Sequence, residues 1–147
     1  MGRLRLRGEI TGMAQRILVV DDDADTRRVL SYVLAPVGAV VEAAGGAEAL
    51  AKIQAERPSV VLLDLVMPEV GGLEVLEKAL RLVPSLCVIM LTGQSDISVA
   101  REALERGARA YITKPIDPQR LRETVEDLIG AGSPDDDDRR KPWRVVG

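Results

Sequence analysis

Ser59-Val-Val-Leu-Leu-Asp-Leu-Val-Met-Pro68 is the stretch whose reading decides the fold. Val60 to Leu63 are four apolar residues in a row with no polar alternation, the pattern of a strand buried on both faces of a parallel sheet. The run halts on a carboxylate, Asp64, and a turn with Pro68, Gly71 and Gly72 follows. An ionised carboxylate beside such a core is costly unless a cation pairs with it. The chain offers two sources. The acidic cluster Asp21–Asp23 could hold a metal together with Asp64, and Lys114 precedes Pro115. Asp64 alone could merely cap a turn; the remaining strands weigh against that.

Four more strands flank this one. Arg16-Ile-Leu-Val-Val20 runs straight into Asp21-Asp-Asp23. Residues 25–35 then put Val29, Leu30, Val33 and Leu34 on one helical stripe, ended by Pro36 and Gly38. Ala39–Ala43 reads as a weaker strand closed by Gly45-Gly46, and 47–56 as a helix with Leu50 and Ile53 inward, stopped by Pro58. Beyond the central strand, Leu73, Leu76, Leu80 and Val83 predict an amphipathic helix over 72–82. Leu86–Leu91 is a second wholly apolar strand, ending at Thr92-Gly93. A helix over 96–106 turns Ile97, Ala100 and Leu104 inward, with Gly107 as its cap. Ala110-Tyr-Ile-Thr113 is the last strand and ends in Lys114-Pro115. Asp117-Pro118 supplies an N-cap and a first-turn proline to a helix lined by Leu121, Val125 and Leu128 and ended by Gly130.

Five strands alternating with five helices imply an α/β fold, an open parallel sheet with helices on both faces. In such sheets a site forms beyond the carboxyl ends of the strands, where strand order reverses. Asp21, Asp22, Asp64, Thr92 and Lys114 all stand at strand ends. Carboxylates, a hydroxyl and an ammonium therefore converge on one edge of the sheet.

Composition bounds the chemistry. The 147 residues suit one domain with a modest tail, and aromatic residues are only 2%, so Leu, Val, Ile and Ala must build the core. There is no histidine, which excludes histidine-based catalysis and a phosphohistidine carrier. A formal net charge of -3 makes no case for direct nucleic-acid binding. The single cysteine, Cys87, sits in an apolar run and cannot found a disulfide framework, so a reducing cytoplasm is expected. No apolar run approaches the roughly 18 residues of a membrane span, so no membrane association is expected. Residues 1–14, basic and with a second Met at 13, are expected to be a disordered extension or an upstream start.

Taken in order, Val-Val-Asp21-Asp22, Asp64-Leu-Val-Met-Pro68, Leu91-Thr92-Gly and Lys114-Pro115 resemble the motifs of response-regulator receiver domains of two-component signalling. The resemblance covers residues 16–130. It implies a flavodoxin-like, doubly wound, five-stranded parallel sheet of order 2-1-3-4-5, with the receiver domain over 15–130. It implies that Asp64 accepts a phosphoryl group from a histidine kinase or a histidine phosphotransfer protein. Mg2+, or Mn2+, would be bound by Asp22, by Asp21 often through water, by Asp64 and by the backbone carbonyl of Val66. Thr92 would hydrogen-bond the phosphoryl group and Lys114 would pair with it. Tyr111 occupies the aromatic switch position, and the bond before Pro115 is expected to be cis. The phosphoryl group would bias a two-state equilibrium and alter the surface of the fourth helix, fifth strand and fifth helix, where a downstream protein would bind. A homodimer is a further option. Such a chain is a signalling switch with self-catalysed phosphorylation and dephosphorylation rather than an enzyme, and Val66 and Gln94 would tune the lifetime of the phosphorylated form.

Two departures stand out. Gly71 replaces the Asp frequent before Gly72 in this family, which would loosen that turn. Asp23 adds a third acid, read as a helix cap rather than a ligand. A calcium loop on Asp21, Asp23 and Asp25 is rejected, because Thr26 stands at the glycine position and Tyr32 at the final acid. An aspartate-dependent phosphatase of haloacid dehalogenase type is a rival, but the first-strand acids do not form its motif. A receiver-like module that binds partners without phosphate is the other, and the intact acids, Thr92 and Lys114 oppose it. The segment 131–147, with Asp135–Asp138, Arg139-Arg-Lys141 and Trp143, reads as a charged, disordered tail or linker.

Overall fold

A computed structural model describes residues 15–67, 71–131 and 144–146. The elements alternate as the sequence predicts: β1 Arg16–Val20, α1 Ala24–Leu34, β2 Ala39–Ala43, α2 Gly46–Glu56, β3 Val60–Asp64, α3 Gly72–Leu82, β4 Cys87–Thr92, α4 Ile97–Glu105, β5 Ala110–Thr113 and α5 Pro118–Ala131. A 3-10 turn, Gln94–Asp96, precedes α4, so that helix starts a residue later than expected. All strand pairs are parallel, and the order 2-1-3-4-5 is the one the resemblance implies. The expectation of a structureless tail over 131–147 does not hold throughout. Arg144–Val146 form a sixth strand, β6, parallel to β5 at the edge of the sheet. The expectations for residues 1–14, Pro68 and 132–143, including the acidic run and Trp143, lie outside the described residues.

Side-chain alternation along the strands divides the interior into two layers. Ile17, Val19, Val60, Leu62, Ile89 and Leu91 pack with Leu30 and Leu34 of α1 and Leu121 and Val125 of α5. Leu18, Val20, Val61, Leu63, Val88 and Met90 pack with Ile53 of α2, Leu76 of α3 and Ala100 of α4. Every residue of β3 and β4 is buried, as a strand covered on both faces requires. One expected helical stripe shifts. Val29 is 59% exposed rather than inward. The α3 stripe faces the core as expected, with Leu76 buried and Leu73, Leu80 and Val83 packed against it, and Gly72, Val75 and Ala79 are buried as well.

Several turns follow from local chemistry. Asp23 caps α1, its carboxylate accepting from the Thr26 N–H at 3.0 Å and the Thr26 hydroxyl at 2.6 Å. Asp117 accepts from the Gln119 N–H at 3.0 Å and opens α5. Gly107 has φ +119, a region side chains disfavour, and it turns the chain just beyond α4. The Lys114–Pro115 bond is cis.

Candidate functional site: an acidic pocket at the strand ends

Because all strands are parallel, the ends of β1, β3, β4 and β5 lie along one edge of the sheet. Val20 is in register with Leu63, Asp64 with Leu91, and Thr92 with Thr113. This brings together residues far apart in sequence. Ligand oxygens of Asp21, Asp22 and Asp64 all lie within 4.8 Å of one another. The Lys114 ammonium lies 3.6 Å from Oδ1 of Asp64 and 3.9 Å from Oδ2 of Asp21.

Burial differs sharply within the cluster. Asp21 and Asp64 are 2% and 6% exposed, whereas Asp22 is exposed. Loss of solvation raises the pKa of Asp64, and the neighbouring Asp21 charge adds to it against the pull of Lys114. Burial likewise raises that of Asp21, opposed by the Asp23 N–H, which donates to its Oδ1 at 2.9 Å. Oδ2 of Asp21 is buried without a hydrogen-bond partner. One ammonium, half exposed and beyond hydrogen-bond length, does not neutralise three acids. A hard divalent cation that accepts carboxylate oxygens and keeps several waters fits this donor set. Asp23 stays outside the cluster, bound to Thr26 as a cap.

The supporting shell is specific. Arg27 donates from Nη1 to the carbonyl of Asp21 at 2.7 Å while its Nε pairs with Glu42 at 3.2 Å, bracing the turn that carries the two acids. No motif in the sequence points to Arg27, because its partners come from a turn and from β2. The Val66 N–H donates to Oδ1 of Asp64 at 3.3 Å, and the Val66 side chain is 61% exposed beside the site. Thr92 is buried, its hydroxyl donating to the Gly93 carbonyl at 3.1 Å. Gly72 sets α3 directly against the end of β3. Its N–H bonds the Leu65 carbonyl at 3.0 Å, and a Cβ there would lie 2.7 Å from the Asp64 carbonyl oxygen. The sequence alone reads Gly72 as a turn residue at the start of a helix. Gly71, by contrast, has open space around its Cβ direction.

Tyr111 is 4% exposed and packs in the layer that includes α4. The Gln94 side chain lies outside the described ones. Among the described residues no helix is long and apolar enough to cross a membrane.

Comparison with known proteins gives a consistent result. The family model for the response regulator receiver domain matches residues 17–126. The chain is 40% identical over 116 residues to a probable transcriptional regulator, ycf27, of Porphyridium aerugineum, covering 78% of this chain and 48% of that protein. It thus spans about half the length of that relative. It is 31% identical over 115 residues to the chemotaxis protein CheY of Thermotoga maritima, covering 77% of this chain and 96% of that one. Among solved structures, a CheY-like response regulator receiver domain protein from Methanospirillum hungatei superposes with a TM-score of 0.75 at 37% identity, over 79% of this chain and 94% of that one. The receiver domain of NtrX from Brucella abortus gives 0.76 at 33%, over 79% and 99%.

Proposed function

This chain belongs to the response-regulator receiver family, and on that premise we propose that it is a phosphorylation switch with Asp64 as the phosphoacceptor. The observation that carries the reading is the meeting of Asp21, Asp22 and Asp64 within 4.8 Å, with the Lys114 ammonium 3.6 Å from Asp64. The donor would be a phosphorylated histidine of a kinase or phosphotransfer protein. A carboxylate oxygen of Asp64 attacks phosphorus, the P–N bond breaks, and the imidazole leaves with the electron pair and takes up a proton. The product is an acyl phosphate on Asp64, which water later cleaves back to the carboxylate and inorganic phosphate.

Bringing a phosphoryl group to a carboxylate crowds negative charge, so cationic partners govern the rate. Mg2+, when bound by Asp21, Asp22, Asp64 and the Val66 carbonyl, supplies charge neutralisation and alignment. Lys114 holds its ammonium where the phosphoryl oxygens arrive. Thr92 can exchange its bond to the Gly93 carbonyl for one to a phosphoryl oxygen. That movement would empty space beside Tyr111 and alter the face of α4, β5 and α5, where a downstream protein would bind. A cytoplasmic site of action accords with this chemistry.

The test is intact mass after incubation with acetyl phosphate, with and without Mg2+, beside Asp64→Asn. A single phosphoryl adduct that requires Mg2+ and is absent from the variant is expected. No adduct in the wild-type chain would instead favour a phosphate-independent binding module.

A further inference from the structure

The outer edge of β5 is not left open. Ala110 stands opposite Arg144, Tyr111 opposite Val145 and Ile112 opposite Val146, in parallel register. A strand buried between two helical layers but bare on one edge presents unpaired N–H and C=O groups, a template for another strand. Here a segment from beyond α5 fills it. The residues fit the role, since Arg-Val-Val is extended in preference, with two adjacent β-branched side chains. The pair is also the shortest in the sheet, with three register positions against four or five elsewhere. A short added strand tethered to the domain is held by local concentration more than by its own contacts, and it can exchange.

We propose that the outer edge of β5 is a strand-addition site for an extended protein segment, and that residues 144–146 of this chain are its resident, displaceable occupant. Recognition is by backbone hydrogen bonds in parallel orientation, with β-branched side chains preferred. The occupied strand carries Tyr111. A protein that reads the α4–β5–α5 face, as the phosphorylation reading has it, would compete with this segment. The site itself rests on the β5–β6 register and not on phosphorylation.

Amide hydrogen exchange of the full chain, resolved to single residues and without any phosphoryl donor, tests this. The double variant Val145→Pro, Val146→Pro removes both N–H groups, only one of which can face β5 since neighbouring residues of a strand point opposite ways. Its rings break the ladder, whereas Val145→Thr, Val146→Thr keeps it. Those β5 amides that face away from β4 are expected to exchange at least tenfold faster in the proline variant and at the wild-type rate in the threonine variant. Amides of β1 should be unchanged in both. Equal β5 rates in the proline variant and the wild type would overturn the proposal, because no strand would then protect that edge. Equal acceleration in β1 would overturn it too, because the segment would then be needed for the fold and not displaceable. Neither outcome touches Asp64, whose phosphorylation is read separately by mass.

Discussion

At the scale of single residues, burial sets what each charged or reactive group does. Asp21 and Asp64 pay in solvation for standing at the end of a core strand, and the divalent cation that suits them should reverse that penalty. Adding Mg2+ at about a hundred times its dissociation constant should therefore stabilise the wild-type chain by roughly 2.7 kcal/mol. Thermal unfolding with Mg2+ and then with chelator measures this; equal midpoints in the two conditions would contradict the ligand assignment. In Asp22→Ala the Mg2+ increment should shrink to near zero. Cys87 behaves as a buried core atom. Desolvation pushes its thiol from the ordinary 9.0 up to about 11, despite the pull of Arg109. Between those values the folded chain keeps a proton that the unfolded chain has lost, so folding stability falls as pH rises from 9 to about 11. Cys87→Ala should flatten that part of the profile. At pH 8 iodoacetamide should label the native thiol far more slowly than the unfolded one, and comparable rates would show that the strand is not closed.

At the scale of elements, two adjacent glycines at the head of α3 have opposite roles. Gly71 is an N-cap with no side-chain bond, and its Cβ direction is open. Gly71→Asp should gain a few tenths of a kcal/mol, since a carboxylate can accept from the first-turn N–H groups. Gly72→Ala forces a carbon against the backbone of Asp64 and Leu65 and should cost about 1–3 kcal/mol. Denaturant melts of the pair decide it, and equal effects would be inconsistent with the packing described. Helix α1 gives the other element-scale result. Val29, exposed beside a cavity of about 340 Å³, lines it with Leu30, Val33, Lys114, Ile116 and Leu121. Lys114 also lines this groove, so a protein donor in the proposed reaction would be expected to dock against it. Val29→Asp should slow transfer from a phosphohistidine protein several-fold and leave labelling by acetyl phosphate unchanged. A parallel loss with both donors would place Val29 in the fold rather than in docking.

At the scale of the whole molecule, stability lies in the two layers that sandwich β3 and β4. Leu62 is wholly buried in the layer of α1 and α5. Leu62→Ala should cost about 2–5 kcal/mol, through lost burial and the cavity left behind. A denaturation midpoint close to wild type would mean that the layer closes over the gap. Salt bridges at the surface, such as Lys52–Glu48 and Lys78–Glu74, are half exposed and contribute little beside this.

The sequence by itself determined the strand and helix succession, because unbroken apolar runs and helical periods are local patterns. It also determined which polar residues end the strands, because each one breaks off a local apolar run. Asp64, Asp21, Asp22, Thr92 and Lys114 were legible for that reason. Tertiary structure alone decided the rest. The brace of Arg27 on the Asp21 carbonyl, the contact of Gly72 with the end of β3 and the outward turn of Val29 depend on which element lies opposite, and period does not encode that. The place of residues 144–146 depends on β5 having one edge to fill, a property of the assembled sheet that no local stretch of the tail carries.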